Sequence, residues 1–549
     1  MDTQRLILFI VFSFSILLLW EAWQKESAPP APVPVASAPA GAAGSAVPAP
    51  SQDLGKAPGA EAIASAGATL PKGERIKVKT DLIDAEIDVN GGDLRRMTLI
   101  KQGSIEDKNK PLVLLADDAP HYYVAQSGLI GPGLPTHKEV FRSDAREYVL
   151  AAGAKDLQVR LNWSNDAGVS VTKIFTFHRG SYLVDIGYEV SNAGAQPLQG
   201  HAYFQLLRDD TPPAGSSSLM PTYTGPALYT DAAKYEKIDF SDIAKGEAKT
   251  GVTAKDGWVA MLQHYFLAAY LPAAGTEREF YTKKVSDQLF AAGVILPVGT
   301  VAPGASAKVS APLYVGPQDQ DTLKSLAPGL DLAVDYGMLT VIATPLFWLL
   351  KNLHQLLGNW GWAIIALTVL IKLAFYPLSA ASYRSMAKMK AVAPKLQKMK
   401  EIYGDDRQKM HQAMMELYKT EKINPMGGCL PVLVQIPVFI ALYWVLLYSV
   451  EIRHAPFALW IQDLTAADPY YVLPIIMGLS MIVQTKLNPT PPDPIQAKIM
   501  MIMPVAFSVM FFWFPSGLVL YWVVNNLLSI AQQWRINSVL GVESKHAKK

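Results

Sequence analysis

Apolar and polar positions follow two different periods along this chain. From about Arg75 to Pro328 the period is two. Leu157, Val159, Leu161 and Trp163 alternate with Gln158, Arg160 and Asn162. Val184, Ile186, Tyr188 and Val190 alternate with Asp185 and Glu189. Ala85, Ile87 and Val89 alternate with Asp84, Glu86 and Asp88, and Asn90-Gly91-Gly92 then supplies a turn. Strict alternation marks a strand with one buried face. Many short strands separated by turns predict a β-sandwich, a single large domain over residues 75–330, which is long enough for a core of its own.

Beyond Leu330 the pattern changes to long apolar runs. Between Tyr336 and Leu357 a wide apolar face is interrupted by Pro345 and ends with Lys351, Asn352 and His354. It predicts an amphipathic helix lying in a membrane surface, residues 336–358. Gly358-Asn359 is read as the turn that follows. Apolar segments then predict transmembrane helices over 359–381, 428–449, 470–486, 497–514 and 517–534. Pro431, Pro437, Pro474 and Pro504 fall in or at the start of these runs, which membrane helices tolerate better than soluble ones. Near the start, Leu6–Trp20 is broken only by Ser13 and Ser15. The small-residue site Ala36-Ser37-Ala38 lies too far behind it for signal cleavage, so residues 1–24 are expected to be an uncleaved anchor and the first of six spans. Residues 25–74, rich in Ala, Pro, Gly and Ser, read as a linker that cannot bury enough surface to fold.

Composition supports a membrane protein: half the residues are hydrophobic and 17% are charged, below the usual quarter. The net charge of +2 carries no information about nucleic acid; the distribution of charge does the informing. Residues 382–424 hold ten basic side chains (Arg384, Lys388, Lys390, Lys395, Lys398, Lys400, Arg407, Lys409, Lys419, Lys422) against five acidic ones (Glu401, Asp405, Asp406, Glu416, Glu421). The tail 535–549 is also basic, whereas the loop 450–469 is not. The positive-inside rule therefore puts 382–424 and both termini in the cytoplasm and the β-domain outside, the periplasm of a Gram-negative cell. Within 382–424 two helical stripes flank Gly404-Asp405-Asp406, predicting a cytoplasmic helical hairpin. Met386, Met389, Met410 and Met414 lie on those stripes. Methionines there either pack the two helices together or receive hydrophobic partners.

The search for covalent chemistry is unproductive. One cysteine, Cys429, excludes an internal disulfide. The histidines of the β-domain have no metal-ligand spacing, and nucleotide, dinucleotide and nucleophile-elbow motifs are absent. No cofactor, no metal and no enzymatic activity are expected. Asp209-Asp210 reads as a solvated loop before Thr211-Pro212-Pro213, with a carbohydrate or peptide cleft as the alternative. Asn162-Trp163-Ser164 fits a glycosylation pattern but lies in a predicted strand. The one conspicuous residue is Lys372, a fixed charge inside the apolar run Gly361–Leu378. A lysine at the centre of a span costs roughly 2.5–3.5 kcal/mol on insertion scales, so something polar should surround it.

The runs YPLSAASYRSMAKMK (Tyr376–Lys390), NPMGGCLPVLVQIPVFIALYWVL (Asn424–Leu446), APFALWIQDL (Ala455–Leu464), DPYYVLPIIMG (Asp468–Gly478) and WFPSGLVLYW (Trp513–Trp522) carry a further signal. With them the chain resembles the YidC membrane protein insertase family of Gram-negative bacteria. The resemblance implies a polytopic α-helical membrane protein of the inner membrane, whose six spans include a five-helix core around a cytoplasm-open groove. It also implies a periplasmic super-β-sandwich. The family keeps one basic residue in the groove, usually arginine, and the motif puts Lys372 there; lysine keeps the charge but loses the planar fork that grips a carboxylate at two points. The same match assigns Thr368, Gln435, Tyr521, Trp522 and Gln532 to the groove, and Ile436, Pro437 and Phe439 to the apolar slide along which a client leaves. It implies nascent membrane proteins as clients, with the Sec translocon, the ribosome and signal-recognition machinery, and the lipid bilayer as partners, and no small-molecule substrate. The expected function is that of an insertase and folding chaperone for inner-membrane proteins. Two other readings stand beside it: a secondary transporter, and a carbohydrate-binding periplasmic protein with a membrane anchor.

Overall fold

A computed structural model of the 549-residue chain describes residues 70, 72–104, 107–118, 121–216, 222–248, 251–403, 406–421, 430–488 and 494–539. The expected anchor 1–24, nearly all of the linker 25–74, the start of the Asn424–Leu446 motif and the end of the basic tail fall outside them. The described residues form two compact units, one of residues 42–344 with 441–455, the other of residues 345–440 with 456–549.

The first unit is built on two sheets. A 10-stranded sheet runs β14 (Val252–Ala254), β17 (Arg278–Lys284), β18 (Leu289–Val301), β11 (Leu198–Asp209), β5 (Tyr123–Ile130), β3 (Asp93–Gly103), β2 (Ile83–Asp88), β1 (Arg75–Lys79), β7 (Glu147–Val149), with β4 (Pro111–Leu115) on β3. A 9-stranded sheet runs β13 (Lys234–Lys237), β12 (Gly225–Thr230), β15 (Trp258–Gln263), β16 (Phe266–Tyr270), β19 (Ser306–Pro317), β10 (Leu183–Asn192), β9 (Val169–His178), β8 (Asp156–Ser164), β6 (Arg142–Ser143). Pairing is antiparallel except between β1 and β7. Alternation predicts the strands with a single buried face well. Along β10, Val184, Ile186, Tyr188 and Val190 are buried, paired with Phe177, Phe175, Lys173 and Val171 of β9. The Asn90–Gly92 turn joins β2 to β3 with Gly91 and Gly92 at positive φ, where glycine avoids a Cβ penalty.

β5 and most of β11 are buried on both faces, and that burial encloses polar groups. Asp93 accepts from Gln126 Nε2 (2.8 Å) and pairs with Arg95 (3.2 Å). Gln205 donates to Gln126 Oε1 (3.0 Å) and accepts from Tyr281 Oη (2.8 Å). From the other sheet, the Lys173 ammonium donates to the carbonyls of Gly91 (2.9 Å) and Ser127 (3.2 Å). Burial pulls the Lys173 amine down to about 7 against the attraction of Asp93, and burial raises the Asp93 carboxyl. Buried polar groups with several partners fix one arrangement of a core, since each is costly to leave unbonded.

Asp209 is buried at the end of β11, where its carboxylate accepts from the backbone N–H groups of Tyr122 (2.6 Å) and Thr211 (2.8 Å). Asp209 is thus a strand cap, while Asp210 beside it is exposed in a bend, as a solvated loop requires. The segment 441–455 joins this unit: His264 Nε2 donates to the Leu447 carbonyl (2.8 Å) and Arg453 to that of Gly103 (2.7 Å).

Two short helices, α1 (Phe240–Lys245) and α2 (Gln320–Leu326), decorate the sandwich; the remaining helices follow in chain order. These are α3 (Thr340–Leu357), α4 (Trp360–Ala374), α5 (Tyr376–Tyr403), α6 (Arg407–Thr420), α7 (Leu430–Tyr448), α8 (Val472–Leu487), α9 (Pro494–Met510) and α10 (Ser516–Val539). α3 begins later than expected, after a 3-10 turn at Gly337–Leu339. It is apolar on both sides: Ala343, Phe347 and Leu350 are buried, while Val341, Trp348 and Leu356 are exposed. The expected turn holds, with Gly358 at positive φ and Asn359 capping α4 through the Trp362 N–H.

One expected span is broken. Residues 359–381 form not one helix but α4 and the start of α5, bent by 66°. The physical cause lies in Pro377: it has no N–H to bond the Leu373 carbonyl four residues back, and its ring crowds that carbonyl. The expected hairpin consequently starts inside the expected span, its first helix continuous from Tyr376 to Tyr403. Among the described residues no single helix is both long and apolar enough to cross a bilayer; that bent pair passes the criterion together, and α7, α8 and α9 are shorter apolar helices. Asp406 caps α6, and Lys395 of α5 pairs with Glu421 just beyond α6 (2.6 Å).

Candidate functional site: a polar groove among the C-terminal helices

α4 is apolar over its 15 residues apart from Thr368 and Lys372. Because the helix stops at Ala374, Lys372 falls in its last turn, where an ammonium is favoured by the unsatisfied carbonyls of a helix end. Its side chain does not extend outward: Lys372 is 8% exposed, and Nζ donates to Ser529 Oγ of α10 at 2.7 Å. The Ser529 hydroxyl in turn donates to the Asn525 carbonyl one turn earlier (2.7 Å). Among the described residues Lys372 forms no ion pair.

The ammonium faces a cavity of about 370 Å³. α5 contributes Ser379, Ser382, Tyr383 and Met386; α7 contributes Gln435, Ile436 and Phe439. α8 and its C-cap add Met481, Gln484, Thr485 and Asn488, and α10 adds Tyr521, Trp522, Asn525, Asn526 and Ser529. One wall is aromatic: Phe439 sits edge-on to Trp522 (centroids 4.6 Å apart) and stacks on Tyr521 (6.0 Å). The Trp522 indole N–H is buried without a hydrogen-bond partner among the described residues. The opposite wall is amide and hydroxyl, with Asn526 reaching Ser480 (3.4 Å) and Gln533 reaching Asn488 (3.1 Å) between α8 and α10. A single cation, scattered hydroxyls and amides, and greasy side chains can bind an extended polar segment at one end and an apolar one beside it. Nothing in this set is arranged for bond cleavage.

Seven of the residues expected at the site are brought together here: Lys372, Gln435, Tyr521, Trp522, Ile436, Phe439 and Met386. The others stand apart from the cavity. Thr368 is buried outside the cavity lining and donates its hydroxyl to the Ile364 carbonyl of its own helix (2.7 Å). Gln532 is half-buried, Pro437 lies within α7, and Met389, Met410 and Met414 are half-buried on the hairpin. Sequence reasoning missed Asn525, Asn526, Ser529, Gln484, Thr485 and Asn488. A signal was present: Tyr521, Asn525, Ser529 and Gln533 recur every four residues, a polar stripe along one face of α10.

The chain thus joins a β-sandwich unit to a helical unit whose buried Lys372 has, among the described residues, no ion-pair partner. Two family models divide the chain in the same way: the YidC periplasmic domain matches residues 75–349 and the 60Kd inner membrane protein matches residues 352–543. Membrane protein insertase YidC of Methylobacillus flagellatus is 58% identical over 98% of this chain and 97% of its own length. The Aromatoleum aromaticum protein of that name is 57% identical over the whole of both chains. A solved structure of an active YidC insertase with its first transmembrane domain resolved is 20% identical over 84% of this chain and 92% of its own, with a TM-score of 0.38. The chain belongs to the YidC family of inner-membrane protein insertases, with a periplasmic β-sandwich domain and a helical C-terminal part.

Proposed function

We propose that this chain inserts nascent membrane proteins by giving their polar tails and loops a shortened path through the groove around Lys372. The observation that carries the reading is a buried ammonium with one hydroxyl partner and, among the described residues, no ion pair, facing a cavity of mixed polar and apolar lining. A polar tail entering the groove exchanges bulk water for hydroxyls and amides rather than for hydrocarbon, which lowers the desolvation cost of its passage. Lys372 attracts acidic groups in that tail; two opposite charges about 4 Å apart gain about 4 kcal/mol at an effective dielectric near 20. The client's apolar segment leaves along Ile436, Pro437 and Phe439 into lipid, driven by roughly 25 cal/mol per Å² of apolar surface buried. α4, α8 and α9 have 15, 16 and 17 residues; at 1.5 Å per residue each is about 22–26 Å long, shorter than the ~30 Å hydrocarbon core. Short helices favour a locally thinned bilayer, which shortens the crossing further.

In this reading the hairpin α5–α6 lies in the cytoplasm, where its lysines meet headgroups or ribosomal RNA and its half-buried methionines meet clients or targeting partners. Both termini are cytoplasmic, the sandwich is periplasmic, and the Sec translocon and ribosome are the partners that deliver clients. The deciding experiment is photocrosslinking of a stalled nascent membrane protein to a probe at Ile436. A crosslink confined to stalled chains whose apolar segment has emerged supports the reading; labelling only from lipid-facing positions such as Leu479 refutes it. Deleting most of residues 75–328 while keeping the helices tests the division of labour, with insertion expected to survive.

A further inference from the structure

Among the groove residues that sequence reasoning missed, Ser529 has a geometry that differs from the rest. Its Oγ is the acceptor, at 2.7 Å, for the buried Lys372 ammonium. Its own proton is held locally, by the Asn525 carbonyl at 2.7 Å one helical turn back and by the Tyr383 hydroxyl of α5 beside it. With that proton tied down, the hydroxyl's lone pairs are left for the cation; a freely turning hydroxyl offers its proton as readily as its lone pairs. Lysine is a flexible four-carbon stem that tends to carry its charge towards water or headgroups. From the last turn of α4 the reach to an interface is short. The contact with Ser529, on a different helix, opposes that escape and leaves the other two ammonium protons towards the cavity.

We propose that Ser529 is a positioning residue that holds the Lys372 ammonium inside the groove and thereby sets the preference for clients with acidic translocated segments. The proposal rests on the reading of the groove as the client's passage. Lysine makes the need acute: it lacks the rigid fork by which an arginine stays oriented once it has one partner, so a second helix must supply the orientation.

The test uses the full-length protein in proteoliposomes and two clients that differ only in their translocated tail, one carrying two Asp residues and one the corresponding Asn residues. The readout is the ratio of acidic to neutral client inserted. Ser529→Thr keeps the hydroxyl and Ser529→Val has the same shape without it, so the pair separates hydrogen bonding from packing; Ser529→Ala is the truncation. Thr is expected to keep the ratio near its native value. Val and Ala are expected to lower it roughly 3- to 10-fold, the span of one net hydrogen bond. In a Lys372→Met background the Ser529 substitutions are expected to leave the ratio unmoved, because they act through the ammonium. If Val depresses both clients alike at an unchanged ratio, or lowers the ratio equally with Lys372→Met present, Ser529 is only a packing residue and the proposal falls. If Lys372→Met itself leaves the ratio native, the groove-charge reading falls and takes this proposal with it. If Lys372→Met lowers the ratio and Val does not, the groove charge stands and the Ser529 proposal alone is overturned.

Discussion

Lys372→Met should separate the stability of the helical unit from its activity. The native side chain is 8% exposed with one hydrogen bond to Ser529. Keeping an ammonium at depth in a span costs roughly 2.5–3.5 kcal/mol on insertion scales. A hydrogen bond to a charged group returns roughly 1.5–3 kcal/mol, and the last-turn position returns roughly 0.3–1 kcal/mol more. These contributions nearly cancel, and methionine has similar length and no charge, so stability should change by no more than about 1 kcal/mol. Function should not be spared. The attraction for an acidic group near 4 Å is about 4 kcal/mol before solvent screening, and a third of that is already about tenfold in rate. Insertion of an acidic-tailed client by full-length protein in proteoliposomes should therefore drop about tenfold or more, with Lys372→Arg close to native. Thermal unfolding in detergent, followed by tryptophan fluorescence, should shift by only a few degrees. Native insertion by Lys372→Met would refute the role of the charge. A large drop in melting temperature, with acidic and neutral clients lost equally, would instead make Lys372 a structural residue.

Lys173→Met tests the buried network of the sandwich. The native amine is pulled down to about 7 by burial, from an ordinary value of 10.5. Between pH 7 and 10 the unfolded chain therefore binds a proton that the folded chain does not, and native stability should rise with pH relative to the variant, by at most about 1.4 kcal/mol per pH unit; below pH 7 the difference between the two should level off. Urea titrations from pH 6 to 9 measure it, and parallel curves would refute it. Gly361→Ala should destabilise the helical unit by about 1–3 kcal/mol, because the new Cβ would stand 2.0 Å from a Phe457 ring carbon; Phe457→Leu should restore part of the loss in a thermal melt. Asn359→Ala removes the α4 cap and should cost about 1 kcal/mol in that melt.

Much of this architecture can be read along the chain because it depends on local chemistry. Alternation identifies β8 and β10 since each has one face in the core. Glycines at 91, 92 and 358 mark turns that need positive φ, and Asn359 and Asp406 mark helix starts. Alternation does not describe β5 and most of β11, because they are buried on both faces; Gln126, Ser127 and Gln205 look like surface positions until neighbouring strands partner the two glutamines and the second sheet partners Ser127. The break at Phe375 was legible in Tyr376-Pro377 but was overridden by the unbroken apolar run, a case of composition masking backbone geometry.

For the site, the sequence by itself determined that a lone cation would lie in an apolar helix with something polar around it, and that the same chain would join a β-domain to long apolar segments. Periodicity and a lone lysine suffice for that, since both are properties of one helix at a time. What surrounds the cation was decided only by tertiary structure. Ser529 lies 157 residues from Lys372, and no local rule distinguishes it from Thr368, which lies one turn away from Lys372 and turns its hydroxyl to its own backbone. Helix packing chose between them, because a hydrogen bond to a charge depends on where two helices meet, and spacing along either one does not contain that information.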